Sequence, residues 1–307
     1  GIVIAQVKRI VKAGELDPKI VRVPGILVDY VVIDPDQMQT TMTPYDPALS
    51  GEKVEAPSDV DPLEYSLETL IARRAARELS NGWIVNLGFG ISAAVPRSLA
   101  EKNSDSGVSW VIEQGAVGGV PLTGFAFGCA MNPDAIMQSV DQFTLLQGAG
   151  FNAAMLSFLE VDQFGNVNVS DLPGRSHVTA GVGGFADITS SAPIIVFSGY
   201  FTAGKKNVEI SPDGLNIKED GKISKFVENV SQITFSGSRA IKNGQKVFYI
   251  TERCVIQLTK DGLMVIEIAP GVNLEEDILK KSEFPLLVSP NLKITDREIY
   301  KEVVVAK

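Results

Sequence analysis

The stretch Trp83-Ile84-Val85-Asn86-Leu87-Gly88-Phe89-Gly90-Ile91-Ser92 decides how the rest of the chain is read. Trp83 to Leu87 is an apolar run of strand length, closed on both sides by glycine. Ala93 to Lys102 then reads as a helix. Strand, glycine turn, helix is the unit from which open α/β sheets are built. Upstream, Leu67 to Leu79 repeats apolar residues at helical spacing behind Ser66, which is suited to cap it. A glycine turn between strand and helix presents amides to an anion, and it serves equally as a tight connection. It lacks the third glycine and the acidic strand end that a dinucleotide site needs.

Downstream, Val108 to Ile112, with Trp110 inside it, reads as a second buried strand. It delivers Glu113 into Gln114-Gly115-Ala116-Val117-Gly118-Gly119, three glycines in five residues. A carboxylate at the end of a buried strand is costly to desolvate unless something uses it, and the glycines let backbone or ligand come close. The plainer reading is a solvent-facing Glu before an ordinary turn. Pro133 to Val140 reads as a helix. Phe143-Thr144-Leu145 and Ala154 to Leu159 read as strands around Gly148-Ala149-Gly150. Asn166 to Ser170 alternates strictly, and Gly181-Val182-Gly183-Gly184 is the densest glycine cluster. Pro193 to Phe197, Val247 to Ile250, Cys254 to Leu258 and Met264 to Ile268 add strands, and Leu274 to Leu279 a helix. The alternation predicts an α/β fold with an open, mostly parallel sheet and flanking helices.

The N-terminal part is different. Ile2 to Val11 and Ile20 to Ile33 are β-rich but too few to make a sheet alone. Residues 1–45 therefore read as a β-rich remnant of a second α/β domain, 46–66 as a linker rich in Pro, Asp and Ser, and 67–307 as the main domain. Gly1 opens the chain inside an apparent strand, so a fragment or processed product is expected.

Composition bounds the function. The 307 residues are 45% hydrophobic and 21% charged, with a net charge of -9 and no Lys/Arg-rich tract, which argues against a nucleic-acid partner. Two distant cysteines, Cys129 and Cys254, suit a reducing, cytoplasmic location. The single histidine, His177, lies in a polar stretch and reads as solvated surface, and no metal-ligand spacing is present. No apolar run reaches membrane-spanning length.

Four motifs, in order, resemble family I coenzyme A transferases. Val85 to Ile91 is similar to the opening strand and glycine turn of that family's β-type half. Glu113-Gln114-Gly115 resembles its Glu-x-Gly motif, whose Glu is the nucleophile. Pro173-Gly174 with Gly181-Val182-Gly183-Gly184 resembles its glycine loop. Asp261-Gly262-Leu263 with Glu267-Ile268-Ala269-Pro270-Gly271 resembles its C-terminal signature. Gly118-Gly119-Val120-Pro121 is nearest the propionate/acetate type. Gly1 to about Thr43 resembles only the end of the α-type half, so the rest of that half must come from elsewhere. Glu-Gln-Gly also replaces the Ser-Glu-Asn-Gly of better-known members, which weakens any transfer of substrate preference.

The resemblance implies reversible transfer of coenzyme A between a short-chain acyl-CoA and a small carboxylate, through a glutamyl-CoA thioester on Glu113. It implies no prosthetic group or metal, with CoA as substrate, and a homo-oligomer. Gly183, favoured over Gly184, would supply an oxyanion amide, and Asn168 would hydrogen-bond the Glu113 carboxylate. Asn166 and Asn168 fall on opposite faces of one strand, so only one can serve. Gly88, Gly90 and Lys205 would meet CoA, with Lys206 beside them, although a basic pair is usually solvated surface. Phe125, Phe127 and Met131 would line an acyl pocket or simply pack in the core. The alternatives are an acyl-CoA hydrolase using the same Glu, a sugar-phosphate sensor or isomerase-like module of related fold, and an inactive structural half.

Overall fold

The computed structural model describes residues 1–56, 63–101, 107–172 and 181–302. By its contacts the chain divides into two units, Gly1–Pro47 and Ala48–Lys307. In the first, the strands Ile4–Val7 and Tyr30–Ile33 pair in parallel, Ile4 opposite Tyr30 and Val7 opposite Ile33. Each is shorter than expected, and Gly25–Leu27 makes a 3-10 turn instead of strand. Two strands cannot enclose a core, and Ile4, Ile20, Val31 and Ile33 stay exposed, with Ile26 at 93%.

The second unit is built on ten strands: β1 (Ile84–Leu87), β2 (Ser109–Val111), β3 (Ala116–Val117), β4 (Ala135–Ile136), β5 (Ala153–Ser157), β6 (Ile194–Ser198), β7 (Lys246–Ile250), β8 (Cys254–Thr259), β9 (Gly262–Ile268) and β10 (Leu287–Ile294). They lie in the order β10-β9-β8-β7-β6-β5-β1-β2-β3-β4. The centre, β7-β6-β5-β1-β2, is parallel throughout. The pairs β7–β8, β8–β9, β2–β3 and β3–β4 are antiparallel, and β10 returns parallel to β9. The expected open sheet is present, mixed at its margins.

Strand side chains alternate between two cores. Ala154, Leu156, Ile195, Phe197 and Tyr249 face one, and Ala153, Met155, Val196, Phe248 and Ile250 the other. Helix α1 (Leu67–Ala76) covers the second face through Ile71, Ala72 and Ala75, starting as expected at Ser66, whose hydroxyl accepts from Thr69 N–H at 3.3 Å. Helix α2 (Val95–Ala100) follows a 3-10 turn on that face. Helices α3 (Ser139–Gln147), α4 (Phe185–Ser191) and α5 (Gly237–Lys242) cover the first through Leu146, Ile188 and Ala240.

Two local expectations are overturned. Ala135–Ile136 is an edge strand where a helix was expected, and Phe143-Thr144-Leu145 lies in α3 where a strand was expected. The three-residue run has β propensity, but buried Gln142 and Leu146, four residues apart, set a helical period that the tertiary packing enforces.

Candidate active site

The order of the central strands reverses between β1 and β5. From β1 the chain steps outward to β2, then crosses back to β5 and continues to β6 and β7. In open α/β sheets such a reversal leaves a crevice beyond the carboxyl ends of the strands. Here it opens into a cavity of about 610 Å³ walled by Leu87 to Gly90 after β1, Leu156 to Leu159 at the end of β5, and Gly181 to Gly183 before α4. Glu113 is the one ionisable residue among the described residues that line it. The remaining lining is mainly apolar, including Phe127, Leu172 and Ile188.

Glu113 arrives there on a tight hairpin. Val111 pairs with Val117, Ile112 N–H donates to Ala116 O at 2.9 Å, and Gly115 N–H donates to Ile112 O at 2.9 Å. Glu113 and Gln114 therefore form the tip. Gly115 sits at φ +125°, and a Cβ there would be 2.1 Å from the Met137 carbonyl oxygen. Two buried amide side chains brace the hairpin: Asn86 Nδ2 donates to Val111 O at 3.1 Å and Gln142 Nε2 to Ile112 O at 3.0 Å. Ser139 Oγ reaches the Glu113 carbonyl at 3.3 Å. The β propensity around Trp110 signalled the strand. No local pattern signalled Asn86 or Gln142, since each acts on a segment distant in sequence.

The glycine cluster meets the carboxylate across about seventy residues of sequence. Gly184 N–H donates to Glu113 Oε2 at 3.0 Å. Gly183 lies at φ +53°, and a Cβ on it would be 2.9 Å from Glu113 Oε1. Gly184 supplies the amide in this arrangement, and both glycines permit the approach, since a Cβ on Gly184 would itself be 2.8 Å from Glu113 Oε2. The exposed Phe89 and the half-buried Phe127 meet edge to face at the cavity, with ring centroids 5.5 Å apart.

Other expected residues are placed differently. Asn168 is fully buried, but its Nδ2 donates to Glu160 Oε2 at 2.7 Å and to Asp171 O at 2.8 Å, and its Oδ1 accepts from Ser170 and Asp171 N–H. These bonds occupy the side chain and hold the turn below Leu172, so the hydrogen bond expected from Asn168 to Glu113 is not formed. Asn166 binds Asp162 and Gly237 N–H. Gly88 lines the cavity, yet its amide is used by the sheet, donating to Met155 O at 2.8 Å, and Gly90 stands over Ser157. Lys205 is exposed and is not among the lining residues. Lys206 packs on the Tyr200 ring at 3.2 Å and donates to Thr202 O. Phe125 is 75% exposed, so it is neither core nor pocket wall, and Met131 pairs in a short outer ribbon. His177, Pro173 and Gly174 lie outside the described residues. Both cysteines are free, and no helix among the described residues is long and apolar enough to cross a membrane.

No family model matches the chain. Individual relatives do. The chain is 41% identical over 301 residues to acetate CoA-transferase YdiF of Escherichia coli K12, covering 98% of this chain and 56% of that protein. It is 40% identical over 307 residues to caffeate CoA-transferase of Acetobacterium woodii, covering 98% and 58%. The crystal structure of the YdiF apoenzyme from E. coli O157:H7 superposes with a TM-score of 0.88 at 40% identity, over 98% of this chain and 56% of that one. The chain thus spans a little over half the length of the curated relatives it matches. The resemblance read from Glu113-Gln114-Gly115 and its companion motifs is borne out: over nearly all its length this chain is homologous to part of the family I coenzyme A transferases.

Proposed function

We propose that this chain is the nucleophile-bearing part of an enzyme that transfers coenzyme A reversibly between a short-chain acyl-CoA and a small carboxylate. The observation that carries the reading is the Glu113 carboxylate, held 3.0 Å from the Gly184 amide in a largely apolar cavity at the sheet's reversal point. A nucleophilic carboxylate needs partial removal of water and preorganised donors for transient oxyanions. Both features are present in the one place.

In the proposed reaction, Glu113 attacks the thioester carbonyl. A C–O bond forms, the C–S bond breaks, and CoA departs as thiolate, leaving an acyl-glutamyl anhydride. The thiolate then attacks the glutamyl carbonyl, forming the Glu113 thioester and releasing the first carboxylate. A second carboxylate reverses the sequence. Contacts to the remote parts of CoA would drive the reacting centre toward its transition state. The cavity, lined mainly by carbon, favours transfer to an acyl carboxylate over loss of the thioester to water. The exposed apolar strands Ile4–Val7 and Tyr30–Ile33 support a complementary α-type half, in the same precursor or a second chain, and a homo-oligomer with a cytoplasmic location completes the reading.

The test is mass spectrometry of the chain, supplied with that half, after incubation with an acyl-CoA and borohydride. Reductive trapping at Glu113 is expected, together with loss of transfer by many orders of magnitude in Glu113→Gln. Near-normal transfer in Glu113→Gln, checked for reversion by deamidation, would sink the reading. Turnover that does not depend on a second carboxylate would convert it to hydrolysis.

A further inference from the structure

Lys225 stands behind the cavity, just before the short strand Phe226–Val227. Its main chain is fixed, because Val161 N–H donates to Lys225 O at 2.8 Å. Its ammonium donates to the carbonyl of Phe158 at 2.9 Å and lies 4.5 Å from the centroid of the Phe158 ring. That ring is gripped from other sides as well. Phe226 meets it edge-on at 5.9 Å between centroids, and a Cβ on Gly199 would fall 2.6 Å from two of its carbons. Phe158 and its neighbour Leu159 line the cavity that holds Glu113. The reaction makes no use of Lys225, yet withdrawing an ammonium from water is costly. Burial brings its pKa down to about 8, with Lys206 adding to the effect and Glu252 and Glu160 opposing it.

We infer that Lys225 is a positioning residue for the substrate cavity: its ammonium fixes the Phe158–Leu159 wall against which acyl-CoA is bound. The inference rests on the CoA-transfer reading. While charged, Lys225 makes a charge-assisted hydrogen bond to the wall's main chain and a cation–π contact to its ring. Once neutral it keeps at most a weak hydrogen bond.

The experiment compares wild type, Lys225→Met and Lys225→Arg, each with the complementary half, by steady-state kinetics from about pH 6.5 to about pH 9.5. Melting temperature and borohydride trapping at Glu113 are followed alongside. At neutral pH, Lys225→Met raises KM for acyl-CoA roughly tenfold with kcat within about twofold, and Lys225→Arg restores KM to within about threefold. Wild-type KM rises several-fold as the pH passes about 8, whereas the arginine variant stays flat. Stability moves the other way. A lysine whose native pKa is lowered burdens the fold below about pH 8, and that burden is relieved between there and its unfolded value near 10.4. A merely structural lysine would move stability and KM together. Intact trapping with an unchanged KM in Lys225→Met, or a flat wild-type KM profile, overturns the role of Lys225 alone. Should Lys225→Met fail to fold, the wild-type and arginine profiles decide. Failure of trapping in wild type overturns the CoA reading and this inference with it.

Discussion

Gly183→Ala isolates what the close approach to Glu113 is worth. At φ +53° the added methyl costs about 1–2 kcal/mol of backbone strain. The same methyl would sit 2.9 Å from Glu113 Oε1, and ordinary contact begins near 3.4 Å, so the carboxylate must retreat by about half an ångström. A misplacement near 1 Å costs roughly a hundredfold in rate, so half of that costs about tenfold. The hydrogen bond from Gly184 lengthens at the same time, which adds to the loss. The expected outcome is kcat down about ten- to thirtyfold with a melting temperature lower by only about 2–6 °C. Gly183→Val should exaggerate the first effect more than the second. The assay is initial-rate CoA transfer with the complementary half present, next to thermal unfolding of the same preparations. Activity within twofold of wild type, or a stability loss large enough to account for the missing activity by itself, would refute the reasoning.

Asn168→Ala should behave in the opposite way, costing about 2 kcal/mol in urea unfolding because Glu160 and the amides of Ser170 and Asp171 lose their partner, while kcat falls less than in Gly183→Ala. A larger fall in kcat than in stability would return Asn168 to the reacting centre. Asp220 is opposed by burial, but hydrogen bonds from Arg253 and Thr202 outweigh it and hold the carboxyl well below the usual range. Its stabilisation is therefore complete above its unfolded pKa near 4 and is lost as the pH falls further toward the native value. Asp220→Asn should flatten that acid limb of stability in a pH series of urea melts, and superimposable limbs would contradict it. The isolated chain should transfer CoA poorly and recover on addition of the complementary half. Full activity alone would defeat the two-half reading.

The centre of the sheet was legible because its strands are short, mostly apolar runs, as β1, β6 and β7 show. Glu113 was legible for a related reason, since a carboxylate placed between a buried strand and three glycines has few structural uses. Its partner Gly184 was legible only as a member of a cluster, because which amide meets the carboxylate depends on backbone geometry that no residue name carries. Asn168 misled because strand alternation says which face a side chain takes and nothing about what already waits there. Helix α3 was misread at Phe143 because short runs with β propensity yield to packing. Lys225 gave no signal, because its role lies entirely in a carbonyl and a ring sixty-seven positions away.

The hairpin that carries Glu113 is steadied by its own main-chain hydrogen bonds and by the side chains of Asn86, Gln142 and Ser139. On the proposed reading, the nucleophile's aim is therefore set by side chains that do not line the cavity, while the walls present several others to the substrate. Substrate choice and chemistry would then reside in separable parts. Wall residues such as Phe127 and Leu172 would then be exchanged to admit a different acyl group without re-aiming the carboxylate. A campaign to change what this scaffold accepts would therefore randomise the walls and leave the turn alone.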